Sequence, residues 1–568
     1  MVTITIDNKP INVKEGTTIF EAAKLAGIKI PTLCYLKDIC EVGACRICLV
    51  EVEGDDKLSA ACNMVAEDGM VVNTNSHRVI DARRINIELV LSAHNADCTS
   101  CTRNLNCTLQ TLTKNLNITN VPYEKKFRRA KWPEDFPLIR DSSKCINCMR
   151  CIKICDKVQS LRVWDTRGMA AHLNVNVAHG KTIDKSDCSL CGQCVTGCPV
   201  GALSARDDTT KVFDAIYNPD KVVVVQIAPA VRAAWAEEYG SEAQGKLVAA
   251  VRALGVDYVF DTGFAADLTV MEEGREFLQI ISKKDGDKMP LFSSCCPGWM
   301  RFVKSQYPEL TPHLSTAKSP QQMFGAIVKT WFANRNEIDP AKIFSVSVMP
   351  CIAKKHESEL PGMSSTEYGQ DVDAVITSRE LIQMLKTRNI NVCTLPEENF
   401  DDPLGAGVSV IFGASGGVTE SVLRSAYYMV TSKNPEPDAF SVMRTTANLC
   451  ETTIDLNGTP IRIAVVSGLA STRELIEKIK NGEAVYDFIE IMACPGGCVC
   501  GGGQPIYESV EATQKRSQVL YGIDKNAANR LPHENPAIKK VYEEFLKQPL
   551  SEKAHELLHT DHSLWSMP

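Results

Sequence analysis

No run of about 18 consecutive apolar residues occurs in the 568-residue sequence, so no membrane-spanning helix is expected. There is no positive excess either. Lys and Arg number 62 against 69 Asp and Glu, a net charge of −7, which argues against nucleic-acid binding. The start, MVTITIDNKPINV, lacks the basic, apolar, small-residue order of a signal peptide and alternates as a hairpin would. A cytoplasmic protein is the expectation. Dinucleotide-binding signatures are also missing. The stretch Gly413-Ala414-Ser415-Gly416-Gly417 is no G-x-G-x-x-G and lacks the lysine of a phosphate loop. It is read either as a helix opening towards a phosphate or as a close backbone approach to some cofactor, and not as an NAD site. With 44% hydrophobic and 23% charged residues the chain is an ordinary globular one, and its length suggests three or four units.

What is abundant is cysteine, at 24 residues, of which sixteen precede residue 199 in closely spaced sets. In a large chain of this kind, repeated C-x2-C sets point to metal ligation rather than disulfides. Cys34, Cys40, Cys45, Cys48 and Cys62 offer five thiols for the four positions of a 2Fe–2S cluster. Cys40-x4-Cys45-x2-Cys48 fits the plant-ferredoxin spacing, whereas Cys34-x10-Cys45-x2-Cys48-x13-Cys62 leaves Cys40 out. Spacing does not choose between them. His94-x3-Cys98-x2-Cys101-x5-Cys107 is expected to hold a 4Fe–4S cluster with one imidazole ligand. The alternatives are a Cys3His zinc site, or a histidine with no ligand role.

Cys145, Cys148, Cys151 and Cys155, then Cys188, Cys191, Cys194, Cys198 and Pro199, repeat the two-cluster ferredoxin pattern. The fourth cysteine of each run there ligates the other cluster, so Cys198 joins the first three and Cys155 joins Cys188, Cys191 and Cys194. Four clusters in one chain make an electron wire. A basic run before them, Lys125, Lys126, Arg128, Arg129 and Lys131, is read as a solvated linker, with docking of an acidic ferredoxin as the sharper reading.

From about residue 208 the pattern becomes strand, loop, helix. The runs 222–227, 257–260, 289–292, 343–349, 408–412, 461–466 and 488–492 are expected to be buried strands of a mostly parallel α/β fold. Functional groups in such folds gather at the carboxyl ends of strands. Cys295 and Cys296, Cys351, and Cys494 and Cys498 each follow one of these runs. Cys393 and Cys450 are read as ordinary small apolar residues. Ile538, Val541, Tyr542, Phe545 and Leu546, then Ala554, Leu557 and Leu558, form an apolar helical stripe expected to pack on the core.

At these loops the chain resembles FeFe-hydrogenases of the large monomeric clostridial type. SSCCPGW (293–299), MPCIAKKHE (349–357) and MACPGGCVCGGGQP (492–505) look like the three signature segments, and the order of clusters before them is similar. The resemblance covers essentially the whole chain. It implies a 2Fe–2S β-grasp ferredoxin-like domain (1–78), a small His/Cys3 cluster domain (79–120) and a two-4Fe–4S α+β ferredoxin domain (121–207). A catalytic domain (208–568) would follow, with two mostly parallel sheets flanked by helices and a small-subunit-like tail from about 505.

The implied cofactor is the H-cluster, a 4Fe–4S cube joined to a diiron unit with CO, cyanide and azadithiolate. The resemblance assigns the cube to Cys296, Cys351, Cys494 and Cys498, with Cys498 bridging to the diiron unit. Lys354 would hydrogen-bond a cyanide, and Met349, Gln321, Met492, Pro229 and Ala230 would pack around the diiron unit. The same resemblance selects Cys34 over Cys40. The implied proton route is Cys295, Glu276, Ser315 and Glu273; without the resemblance the two glutamates, three apart on a helix, would be read as an exposed acidic stripe. Two departures stand out. Ile280 sits where related enzymes carry an arginine, and Cys500 where they usually carry asparagine; Cys500 is read as a tolerated small residue or as a redox-responsive thiol.

The implied reaction is H2 ⇌ 2H+ + 2e−, with ferredoxin or flavodoxin as electron partner, separate maturation proteins, and a monomer with no nucleic-acid or membrane partner. A redox-sensory homologue, an iron–sulfur assembly factor and a dehydrogenase subunit are the rivals. The relay cysteine, the 2Fe–2S head and the three intact loops respectively argue against them.

Overall fold

The computed structural model describes residues 1–169, 172–283, 286–404, 407–445, 447–506 and 512–568. The chain divides into two compact units, the first made of 1–186 with 193–204 and the second of 187–192 with 205–568.

In the first unit, β1 (Val2–Ile6) and β2 (Lys9–Val13) form the expected hairpin. Asp7 and Asn8, both at positive φ, make the tight turn whose twist suits paired strands. With β3 (Leu49–Val52), β4 (Ser59–Ala60) and β5 (Val71–Asn73) they build a mixed sheet of order β2-β1-β5-β3-β4. Ile4, Ile6, Val50 and Val72 face Ile19, Ala22 and Ala23 of the Ile19–Leu25 helix, which Thr18 caps by accepting the Glu21 N–H. Two small sheets complete the unit. One pairs β6 (Leu138–Arg140) with β9 (Leu203–Ala205); the other pairs β7 (Trp164–Arg167) with β8 (Asn174–Val177).

The second unit holds two four-stranded sheets. The first, β11-β10-β13-β14, is wholly parallel and joins β10 (Val222–Ile227), β11 (Tyr258–Asp261), β13 (Ile343–Met349) and β14 (Ala374–Thr377). The second has the order β12-β17-β16-β15, built from β12 (Leu291–Phe292), β15 (Leu449–Leu456), β16 (Thr459–Ser467) and β17 (Phe488–Met492). Only its β15–β16 pair is antiparallel. Parallel strands covered on both faces read as continuous apolar runs, and β10 and β17 do.

Two expectations are corrected and one alternative reading is set aside. The run 408–412 is not a strand; it ends in a 3-10 turn at Val410–Gly413. The buried Asp267 carboxylate takes the Val408 and Ser409 N–H groups at 3.0 and 2.9 Å, and these donors are what a sheet ladder would have used. The glutamates 273 and 276 are not an exposed stripe, because the Thr262–Lys283 helix is buried along most of its length. Cys393 is exposed and so is not a packed apolar residue, whereas Cys450, half-buried on edge strand β15, packs against the core as expected. The carboxy-terminal stripe does pack. Ile538, Val541, Leu546, Leu557 and Leu558 join Phe260, Phe324 and Phe332 in one core, although a π turn at Tyr542–Leu546 divides the helix.

Candidate active site

The three cysteine loops leave the carboxyl ends of β12, β13 and β17 and converge. They enclose a cavity of about 90 Å³ lined by Cys296, Cys351, Cys494 and Cys498, together with Cys295, Lys354, Gln321, Met349, Met492, Pro229 and Ala230. Every residue that the sequence reading placed at this cofactor lies on the wall. Thr262 and Ala266 line it too and carry no sequence signal of their own; Pro350 of the second signature segment, Phe412 of the 408–412 run and Gly413 of the glycine stretch, which the sequence had marked, also line it.

Local chemistry explains the placement. Cys296 is the N-cap of the Pro297–Gln306 helix, whose Pro297 opens the first turn, so its sulfur sits at the positive end of a helix. That sulfur also accepts the Ala493 N–H at 3.4 Å. Gly298 is required, since a Cβ there would stand 2.8 Å from the Ala493 Cβ. Gly501 passes so close to Pro350 that a Cβ would meet its carbonyl oxygen at 2.3 Å.

Lys354 is buried and donates to Glu357 Oε2 at 2.8 Å and to the Cys295 carbonyl at 3.1 Å. Burial pulls its pKa down, but the Glu357 carboxylate outweighs that and holds it above the ordinary lysine value. Glu357 was missed in the sequence, although its spacing of three from Lys354 on the Ala353–Glu357 helix was readable. Gln321 donates to the Lys354 carbonyl at 3.1 Å, and its Oε1 is buried without a partner.

The expected proton-route residues also gather. Ser315 Oγ donates to Glu276 Oε2 at 2.7 Å. Glu273 is fully buried, neither of its oxygens has a well-formed hydrogen bond, and burial followed by the Glu276 charge pushes its pKa up to about 8. Burial and the neighbouring Glu273 likewise push the Cys295 thiol up. Ile280 is buried against Phe277 and Leu291. Cys500 is half-buried and packs against Val499, Val410 and Leu520.

In the glycine stretch 413–417, Gly413 lies on the cavity wall. Gly416 caps the Gly417–Thr431 helix, and the Glu490 carboxylate takes the N–H groups of Gly416 and Thr419, both at 2.8 Å. The close approach it makes is to the third cysteine loop, where a Cβ on Gly497 would meet Ser415 N at 2.6 Å.

In the first unit the thiols of Cys34 and Cys45 touch, as do those of Cys48 and Cys62, while the Cys40 sulfur turns to the Cys148 carbonyl at 3.7 Å. Cys145, Cys148, Cys151 and Cys198 line one small cavity. His94 directs Nδ1 to the Lys144 carbonyl at 2.9 Å, which leaves Nε2 for a metal. The Cys107 sulfur lies 3.7 Å from the Pro199 carbonyl. Cys155 and Cys194 belong to this unit, Cys188 and Cys191 to the second. The basic run is solvated except for Arg128, which donates to the Leu173 carbonyl.

Residues 221–502 match the model of the iron-only hydrogenase large subunit, C-terminal domain. The NADP-reducing hydrogenase subunit HndD of Solidesulfovibrio fructosivorans is 46% identical, over 99% of this chain and 98% of its own length. The chain belongs to the iron-only hydrogenases. Iron hydrogenase 1 of Clostridium pasteurianum is 37% identical to this hydrogenase over 98% of its chain and 99% of its own. The solved apo FeFe-hydrogenase HydA1 of Chlamydomonas reinhardtii superposes with a TM-score of 0.56 at 37% identity, covering 62% of this chain and 98% of that one. Further matches are a 2Fe–2S cluster binding domain (1–77), the iron–sulfur binding region of NADH-ubiquinone oxidoreductase G (83–122), a 4Fe–4S dicluster domain (144–202) and the iron hydrogenase small subunit (510–564). This hydrogenase is therefore an enzyme acting on H2 with 2Fe–2S and 4Fe–4S ferredoxin-like domains. Among the described residues no helix is long and apolar enough to cross a membrane.

The cavity fits a polynuclear iron cofactor. Among the described residues no three His, Cys, Asp or Glu side chains converge tightly enough for a single ion. Four soft thiols instead surround a space, with an unpartnered amide oxygen and a buried ammonium on the same wall.

Proposed function

We propose that the cavity is where this hydrogenase interconverts H2 with protons and electrons, reversibly. Cys296, Cys351, Cys494 and Cys498 would hold an H-cluster. The observation that carries this is the convergence of four thiols from three separate loops on one enclosed space beside Lys354. When bound, the cofactor supplies the Lewis-acidic iron and the amine base on which heterolytic cleavage of H2 depends.

The chain's own residues do the rest. Lys354, fixed by Glu357, presents a buried N–H donor suited to a cyanide ligand. Met349, Met492, Pro229, Ala230 and Gln321 exclude water. Cys295 carries the proton away from the cofactor, and Glu273, Ser315 and Glu276 carry it onward; a carboxyl titrating near 8 is well matched to giving and taking a proton near neutrality. Electrons would run through three accessory 4Fe–4S clusters and one 2Fe–2S, the latter on Cys34, Cys45, Cys48 and Cys62. Maturation proteins would deliver the diiron unit. The protein matured with that unit should show infrared bands of metal-bound CO and cyanide; their absence from active preparations would refute the assignment.

The electron partner has two readings. Ferredoxin or flavodoxin, meeting a monomer in the cytoplasm, is the first. HndD is named as a subunit of an NADP-reducing hydrogenase, which favours a second, in which this chain hands electrons to a nucleotide-binding subunit. The glycine loop filled by Glu490 leaves that task to another polypeptide. Under H2 the isolated chain should reduce ferredoxin and leave NADP untouched.

A further inference from the structure

The hydrogen-bonded chain continues past Glu276. Thr316 Oγ1 lies 2.9 Å from Glu276 Oε1 and 2.8 Å from His559 Nδ1. The other imidazole nitrogen, Nε2, lies 3.1 Å from Glu272 Oε2, and the Tyr542 hydroxyl and Leu550 N–H also donate to that carboxylate. The backbone fixes this meeting of residues 243 apart. Ala317 and His559 form an antiparallel bridge, Lys318 N–H donates to Leu558 O, and Thr560 N–H donates to Thr316 O.

We propose that Thr316 and His559 extend the proton route outward, with His559 as acceptor beyond Glu276 and Glu272 as its counter-ion; this rests on the relay reading above. The geometry supports two arrangements of the same atoms. In one, protonated Glu276 donates to Thr316 Oγ1, whose own hydroxyl donates to the bare Nδ1. In the other, the Glu276 carboxylate accepts the threonine hydroxyl, and an imidazolium Nδ1–H donates to Thr316 Oγ1. Passing between them breaks the Glu276 O–H bond as a new threonine O–H forms, and breaks the old threonine O–H as N–H forms on His559. One proton thus crosses from Glu276 to His559 and nothing else is consumed. Nε2–H faces Glu272 in both states, so the charged state has a buried carboxylate to offset it.

The groups facing this pair are few. Glu272 and Glu276 come from the long helix, and Tyr542 acts through Glu272. His562 sets its Nε2 2.7 Å from the Ser315 carbonyl. His555, exposed, has its ring centroid 4.4 Å from that of His559 and provides the solvent side. On the other side of Glu276, Ile280 offers no group able to carry a proton.

Thr316→Val removes the bridging hydroxyl at nearly constant volume, and Thr316→Ser keeps it. In matured holoenzyme, T316V should lower H2-oxidation turnover about tenfold at pH 7, a modest factor because Glu276 is 9% exposed and keeps a residual outlet. T316S should keep the parent turnover, and His559→Gln should repeat the loss of about tenfold, which covers the case of a poorly folded T316V. The pH profile of turnover should change alike in T316V and H559Q and stay parental in T316S. A second readout is independent of turnover. The carboxyl stretch of Glu276, assigned by its loss in Glu276→Gln, should change its pH response in both T316V and H559Q. Parent-like turnover, pH profiles and carboxyl stretch in T316V and H559Q would overturn the proposal. If Cys295→Ser abolishes turnover while T316V behaves as the parent, the extension alone falls. If Cys295→Ser keeps full turnover, the relay reading falls and this proposal with it.

Discussion

Lys354 Nζ and Glu357 Oε2 stand 2.8 Å apart on one short helix, both side chains almost wholly buried. Taking one charge of such a pair away leaves the other stranded, at a cost of about 3–5 kcal/mol. Glu357→Gln is therefore expected to lower the thermal midpoint markedly. It should also let the lysine pKa fall, because the burial that depresses it would no longer be opposed. Differential scanning calorimetry of the two proteins checks this. An equal midpoint would mean that the pair contributes nothing to the fold of the second unit.

The adjacent thiols Cys295 and Cys296 should separate cleanly on mutation. Cys296 caps a helix and faces its fellow ligands, so Cys296→Ser should lose iron from the cavity. Cys295→Ser should keep the iron content and lose turnover by about 10²–10⁴-fold, since a serine hydroxyl gives up its proton far less readily. Iron analysis alongside H2 evolution distinguishes the two. Matching behaviour would refute the division of roles.

Glu273 predicts a pH dependence. Its folded pKa of about 8 lies above the ordinary value of 4.5, so the folded state holds the proton more tightly than the unfolded one. The stability that this confers is complete below about pH 4.5, declines as pH rises, and is gone above about pH 8. The full effect is on the order of 5 kcal/mol at 1.36 per pKa unit. Glu273→Gln should flatten the decline, so its thermal midpoint relative to the parent should climb between these limits. A constant difference across that range would count against a buried neutral carboxyl.

Ile280→Arg introduces a cation beside Glu276 on the same helix. Here the side chain packs in an apolar cluster with Phe277 and Leu291, where a guanidinium is costly to bury even with Glu276 four residues earlier on the helix. The substitution should lower the midpoint and raise no turnover.

Cys500 is half-buried and packs against Val499, Val410 and Leu520, a position that suits a small apolar side chain. Cys500→Ser should leave the rate of inactivation by air within about twofold of the parent, a judgement from the burial dependence of thiol oxidation. A slower loss of activity would restore the redox-responsive reading.

Much of this site was legible because cysteine spacing survives without any knowledge of packing. The three loops follow three apolar runs, and all three runs are strands whose carboxyl ends meet. The 408–412 run deceived because Val, Ile and Phe in sequence are equally compatible with a buried turn whose donors go to Asp267. The strand Ala374–Thr377 went unnoticed because four residues carry too little periodicity. Leu449–Leu456 was missed as an edge strand whose outward face holds Glu451, Thr453 and Asp455. Glutamates three apart on a helix look alike whether solvated or buried, so Glu273 and Glu276 needed the tertiary fold to be told from a surface stripe. Thr316 and His559 gave no local signal, since nothing in either segment announces the other.

Cys296, Cys351, Cys494 and Cys498 come from both sheets of the second unit, one from the β12 loop, one from the β13 loop and two from the β17 loop. No fragment shorter than about two hundred residues contains the set, so the ligands form no binding site until long-range strand pairing is finished. Such pairing is slow, because loop closure comes before its reward. The cavity is a product of folding, not its nucleus, and whatever fills it must be received by a chain that has already found its shape.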